Sequence, residues 1–439
     1  MKVTEKPAVE LAEVPGMVVK DCFQLPSLNV MNFLNEVVMQ YPEAISLAPG
    51  RPAEELFDLS ASLAEMDRYV AYRSQQTGLS EGRVRDDLGQ YNKTNGIIRD
   101  LIASHLEVDE GIRVPEASIA VTAGCQEAML VLLLSLFEPG KDVLLASDPT
   151  YIGITGLADI LGIRVEPVLT GGQGLQAEKV VAAAEKLRRE GLRPRALYDI
   201  PDFNNPLGTR LSLADRHRLL TAAREQDLLI FEDNPYGQFS FDDDPAPTLK
   251  SLDQEATVIY LGTFSKTLFP GLRVGYLVAD QPVAEESGGG LLAEQMSKVK
   301  SLTTVTTSPL MQAVAGGILL RHEGSLKPVV APKVEFYRRN RDALLKSLDR
   351  YLGDLPGVSW NRPGGGFFMT VELPFPFDLS CLEVCADQYG LICCPMSFFS
   401  RAGSAHHQVR FSFSYVTPAQ IDTAIDRFSR FLRSRLEES

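Results

Sequence analysis

The sequence predicts an α/β fold: a mostly parallel, seven-stranded sheet between helices, with a smaller α+β domain beside it. Three observations predict this. Seven short apolar runs, at 118–124, 142–149, 163–169, 195–201, 227–235, 257–264 and 273–279, mostly lack polar alternation, as strands covered on both faces do. Stretches of helical length and period lie between several of them, at 125–137, 151–162, 175–190 and 212–226. Strand–helix repetition of this kind makes parallel sheets. Near residue 330 the rhythm changes to a long helix, a turn, a strand and further helices.

Along the chain, residues 1–30 read as a loosely ordered N-terminal arm. Residues 31–84 read as the N-terminal part of the small domain and a linker. Met31, Phe33, Leu34, Val37 and Val38 have helical spacing, and ISLAPGRP (45–52) reads as a short strand ending in a Gly/Pro turn. Residues 85–325 hold the seven runs and form the large domain; its acidic stretch FDDDPAP (241–247) reads as a solvated loop. Residues 326–439 form the C-terminal small domain. It opens with a charged helix over about 326–352 and continues through VSWNRPGGGFFMTVELP and the strand VRFSFSY (409–415). An amphipathic helix over 418–436 ends it.

Bulk properties narrow the function classes. A chain of 439 residues is too long for one simple core. The net charge of −14 repels nucleic acid and anionic membrane, so neither is an expected partner. The opening MKVTEKPAVELAEVPGMVVK has no apolar core of a signal peptide, and no run of about 18 apolar residues exists. A cytoplasmic protein is expected. Cys22, Cys125, Cys381, Cys385, Cys393 and Cys394 form no CxxC pair, and the five histidines have no zinc-ligand spacing. Reduced thiols and no metal are expected.

Parallel sheets bind ligands at the carboxyl ends of their strands, and here those ends carry TAGCQ, SDPTY, DIPDFNNP, EDNPY and GTFSK. Lys266 follows a β run, where positive neighbours and burial would make its amine a nucleophile for an aldehyde. Thr263, Ser265 and Arg273 suit a phosphate, with two hydroxyls and a guanidinium fork. Asp233 ends another strand, where a buried carboxylate can pair with a protonated ring nitrogen. Tyr236, three residues on, and Asn205 offer hydrogen bonds to a phenolic oxygen. Gly124, Cys125 and Gln126 open a helix whose N–H groups make a phosphate seat. Tyr151 could stack on an aromatic ring. Taken singly, these segments have plainer readings: a solvated lysine, an Asn-Pro turn, a core tyrosine.

Together, and in this order, they resemble the class I and II aminotransferases, pyridoxal 5'-phosphate (PLP) enzymes of fold type I. The matching motifs are Thr263-Phe264-Ser265-Lys266, Gly271-Leu272-Arg273-Val274-Gly275, Asp233 to Tyr236, Asn205 to Gly208, Tyr91 to Gly96 and Pro363 to Phe368. They run in order across residues 45–415. The resemblance implies that Lys266 holds the cofactor as a Schiff base. It places Arg410 on the substrate α-carboxylate, and Tyr91 on the phosphate of a neighbouring subunit's cofactor in a homodimer. The partners it implies are an amino acid and a 2-keto acid, exchanged by a ping-pong mechanism.

Within the family, SLAPGRP and IPDFNNP look like a branch containing 2-aminoadipate and dihydroxyphenylglycine-type transaminases of secondary metabolism. Asn204 and Leu207 depart from that pattern, where smaller residues are usual. Gly50 and Arg51, on the N-terminal turn, are candidates for the substrate side chain or a second carboxylate. The same site could serve a PLP lyase, cyclase or oxidase. A third reading is a regulator that fuses this fold to a DNA-binding domain; an arm of about 30 residues is too short for such a domain, and the acidic charge argues against it.

Overall fold

The structure is a computed structural model, and it describes residues 19–172, 174–242 and 246–437. Most of the expected arm and the centre of the expected acidic loop lie outside the described residues. Seven strands form the central sheet: β1 (Ile119–Thr122), β2 (Asp142–Asp148), β3 (Arg164–Leu169), β4 (Arg193–Asp199), β5 (Leu229–Asp233), β6 (Val258–Thr263) and β7 (Gly275–Val278). Their spatial order is β1-β7-β6-β5-β4-β2-β3. Only β7 runs against its neighbours, pairing antiparallel with β1 and β6.

The apolar runs are explained by cores on both faces of the sheet. Val143 and Leu145 join one core with Val180, Leu187 and Leu219 of helices Ala177–Arg189 and Leu213–Glu225. Leu144 and Ala146, between them in sequence, join the other with Met129, Leu132 and Ile154 of helices Cys125–Leu136 and Ile152–Leu161. With a period of two and both faces covered, no alternation with polar residues survives.

Beside this sheet lies a four-stranded antiparallel one, in the order Cys394–Pro395, Gln408–Ser412, Phe368–Glu372 and Ser359–Trp360. Helices Lys327–Leu352 and Pro418–Glu437 pack together alongside it. The short strand Ile45–Ser46 pairs parallel with Leu391–Ile392, and Ser412 N–H donates to the Leu47 carbonyl at 2.6 Å. These bonds draw the turn at 49–52 against the strand that carries Arg410. The first long helix starts at Pro26, five residues before the expected start at residue 31. Proline at the first helical position loses no hydrogen bond, so an apolar pattern that begins later underreads the helix. Among the described residues no helix is long and apolar enough to cross a membrane.

Candidate active site

Five strand ends and one strand start meet at a single edge. The C-terminal ends of β1, β2, β4, β5 and β6 deliver Gly124, Tyr151, Asn205, Asp233 and Lys266. Because β7 is reversed, Arg273 reaches the same edge by preceding it. The turn at 49–51 and the strand Gln408–Ser412 close the other side. Together they line a cavity of about 490 Å³ that includes Gly50, Arg51, Cys125, Gln126, Tyr151, Asn205, Asp233, Tyr236, Thr263, Ser265, Lys266, Arg273 and Arg410. Met31, Val38 and Met39 of the first helix add an apolar wall.

Lys266 sits in the four-residue helix Phe264–Thr267, and its Nζ donates to the Gly50 carbonyl at 2.8 Å. Burial and the Arg273 guanidinium pull its ammonium down to about 8, against the opposing pull of Asp233. Gly50 has no room for a side chain, since a Cβ there would lie 2.1 Å from the Phe368 ring.

Asp233 is buried, and burial pushes its carboxyl up to about 6, although Tyr198, Cys125 and Lys266 pull it down. The Tyr198 hydroxyl donates to Asp233 Oδ2 at 2.6 Å. Asp233 Oδ1 is buried with no hydrogen-bond partner among the described residues. The neighbouring Cys125 thiol donates instead to the Gly262 carbonyl at 3.3 Å. A buried carboxylate oxygen left unpaired is costly, so this atom fits a cationic ring N–H.

The phosphate end is built similarly. Arg273, in the left-handed region at φ 50°, donates from Nη2 to the Ala123 carbonyl at 3.1 Å. Gly124 has φ 82°, and a Cβ on it would lie 2.6 Å from that same nitrogen. Thr263 Oγ1 accepts from Ser265 N–H at 3.1 Å, while Ser265 Oγ is buried without a partner among the described residues. The helix beginning at Cys125 points its first N–H groups here. The orphaned Asp233 and Ser265 oxygens, the guanidinium and the reactive amine together fit PLP.

Arg410 is buried, with Phe368 and Phe399 rings 4.3 and 4.6 Å from its Cζ. Its Nη1 donates to Asn205 Oδ1 at 2.7 Å and its Nη2 to the Ala48 carbonyl at 2.6 Å. Asn205 thus spends its acceptor on Arg410. Tyr236 is buried against Phe367 and Phe368. Tyr151 donates to Gln126 Oε1 at 3.2 Å, so Gln126 supports the ring as well as the helix start. Arg51 stacks over Tyr415 at 3.9 Å. Tyr91 stands apart: it is 82% exposed and outside the cavity lining.

Sequence reasoning missed Tyr198, the two rings around Arg410 and the apolar wall from the first helix. Tyr198 stands in the run RALYDIP and could have been singled out only with the β4–β5 register, in which it pairs with Phe231.

Comparison with known proteins then adds four findings. The family model for aminotransferases of class I and II matches residues 87–428. The chain is 44% identical over 411 residues to (S)-3,5-dihydroxyphenylglycine transaminase of Amycolatopsis orientalis, covering 94% of this chain and 93% of that one. It is 31% identical to 2-aminoadipate transaminase of Thermus thermophilus, over 90% of this chain and 92% of the relative. Among solved structures, Pyrococcus horikoshii kynurenine aminotransferase, solved in complex with PMP, superposes with a TM-score of 0.81. The two are 26% identical, and the match covers 95% of this chain and 97% of that one.

Proposed function

The chain belongs to the class I and II aminotransferases, and from that premise we propose that its cavity exchanges an amino group between an aromatic or arylglycine-type L-amino acid and a 2-keto acid. It is a PLP-dependent aminotransferase of fold type I. One observation carries the proposed site: Lys266, Asp233 and Arg410 line one cavity, the first with a lowered and the second with a raised proton affinity.

When bound, PLP supplies an aldehyde carbon and an electron-withdrawing ring. Asp233 Oδ1 would hold the ring nitrogen protonated, with Tyr198 fixing the other oxygen. Ser265, Thr263, Arg273 and the N–H groups from Gly124 to Gln126 would hold the phosphate. Tyr236 and the amide N–H of Asn205 would serve the phenolic oxygen, and Tyr151 would cover the ring. Arg410 binds the substrate α-carboxylate, and the two rings on its faces exclude water from that pair. Lys266 Nζ moves the proton off the substrate Cα. Burial lowers the proton affinity of this amine, so more of it is neutral near pH 7 than for an ordinary lysine. The donor leaves as a keto acid before the second keto acid enters the same cavity, which makes the kinetics ping-pong.

The substrate class is supported by the apolar wall of Met31, Val38 and Phe368 and by the dihydroxyphenylglycine transaminase relative, which also favours a role in secondary metabolism. Arg51, at the same mouth, suits the second carboxylate of a dicarboxylic acceptor. A homodimer in which Tyr91 reaches the neighbouring site is supported by the exposure of so large an aromatic. A cytoplasmic location is supported by six unpaired cysteines. The domain division, with 85–325 as the cofactor-binding unit, is supported by the single seven-stranded sheet inside those bounds.

The test is to mix holoenzyme with one amino donor and no keto acid. About one equivalent of keto product per site is expected, and then arrest until a 2-keto acid is added. Continuous turnover on the amino acid alone would point instead to a lyase and overturn the reading.

A further inference from the structure

Behind the Lys266 turn lies a second lysine that the mechanism above does not use. Lys333, in the helix Lys327–Leu352, is only 2% exposed. Its Nζ donates to the Thr267 carbonyl at 2.6 Å and to the Leu268 carbonyl at 2.8 Å. These carbonyls end the four-residue helix that carries Lys266, where a cation complements the helix dipole. Burial pulls the Lys333 ammonium down to about 8, and among the described residues no carboxylate pairs with it. A buried charge held only by carbonyl dipoles is an expensive way to pin a turn.

The rest of that helix face explains the arrangement. Lys333, Tyr337 and Asn340 stand on successive turns of one face of it, and all three are buried. The Tyr337 ring lies 4.7 Å from Phe367, which lies 5.1 Å from Tyr236. Asn340 Nδ2 donates to the Phe413 carbonyl at 2.9 Å and to the Val416 carbonyl at 2.6 Å, just past the strand that carries Arg410. One rigid helix therefore touches the supports of Lys266, Tyr236 and Arg410.

We propose that Lys333 is a positioning residue for Lys266, fixing the turn from the small-sheet side so that the reactive amine keeps its place relative to Arg410. This rests on reading Lys266 as the cofactor-bearing amine. Loss of the Lys333 donors would free the turn and misplace the amine without touching the substrate carboxylate. A displacement of about 1 Å at a reacting group slows chemistry by one to two orders of magnitude.

The experiment compares wild type, Lys333→Met, Lys333→Gln and Lys266→Ala. Each is incubated with PLP, trapped with borohydride and mapped by mass spectrometry for the adduct at position 266. The single-turnover rate and the donor KM are then measured on the loaded proteins. Wild type should trap at 266 and Lys266→Ala should not; no adduct in wild type would sink the underlying site reading instead. Lys333→Met should trap about tenfold more slowly, with a single-turnover rate about tenfold lower and KM within about twofold. Lys333→Gln, which keeps N–H donors for one carbonyl, should recover part of both rates. Folded variants that trap and turn over like wild type overturn the proposal. So does failure of both variants to fold, since Lys333 would then serve stability alone.

Discussion

The Tyr198 hydroxyl donates to one oxygen of Asp233 at 2.6 Å, and the other oxygen is buried without a partner among the described residues. The tyrosine therefore aims the carboxylate and helps keep it ionised. Removing it in Tyr198→Phe deletes a hydrogen bond to a charged group, about 1.5–3 kcal/mol in general. The Asp233 carboxyl should rise further above 6. The single-turnover rate should fall by about tenfold or more, most at low pH, with little change in donor KM. An unchanged pH–rate profile would show that Tyr198 does not support the carboxylate.

Arg410→Met removes the guanidinium and strands the Asn205 and Ala48 acceptors. A bidentate, water-excluded carboxylate pair is worth about 3 kcal/mol or more, roughly a 150-fold loss in kcat/KM. An amine donor without a carboxylate should lose far less. Equal losses for both donors would argue against carboxylate binding at this residue.

The free Lys266 amine should react with pyridoxal, which has no phosphate for Arg273 to hold. The rate should rise with pH and level off near 8, because only the neutral amine attacks. In Arg273→Met one of the two main causes of the low value is gone, and the midpoint should move upward while burial still holds it below the ordinary lysine value. A midpoint that stays near 8 would show that burial acts alone.

Asp233 also sets a stability trend in the cofactor-free protein. Its folded pKa is about 6, above the ordinary 3.8, so the folded state binds a proton more tightly than the unfolded state. The resulting stabilisation is complete below about 4 and is lost as pH rises through 6, a change of about 3 kcal/mol. Asp199, also raised to about 6 by burial, adds to the same window. Glu232, raised to about 8 by burial, titrates across the same range, so urea unfolding between pH 4 and 8 should show falling stability and Asp233→Asn should remove about a quarter to a third of the slope. A slope that is the same in the variant would count against the raised carboxyl.

Arg51→Met should raise KM for a dicarboxylic keto acid by about tenfold, the loss expected for one charge-assisted contact. The KM of an aromatic donor should stay within about twofold. Parallel changes in both would remove Arg51 from acceptor recognition.

Much of this was legible in the sequence for one physical reason. A strand covered on both faces is uniformly apolar, so the polar cluster at or just past its end stands out, as those holding Asp233, Asn205 and Lys266 do. The seven runs became the seven strands of one sheet. What stayed hidden depends on register or on long-range packing. Tyr198 faces Asp233 only because β4 and β5 pair with Tyr198 beside Phe231. Phe368 and Phe399 enclose Arg410 from segments with no shared periodicity. Lys333 read as one charge among many in a charged helix, and only the fold turns it inward. The start of the first helix was missed because Pro26 precedes the apolar pattern.

The reversal of β7 has a mechanical consequence. The chain leaves the sheet edge at Thr263 and re-enters it at Gly275, its register partner. Amine and guanidinium thus ride on one hairpin loop. The spacing between Lys266 and Arg273 is therefore set within one sheet, whereas the gap from either of them to Arg410 is set by packing between two sheets.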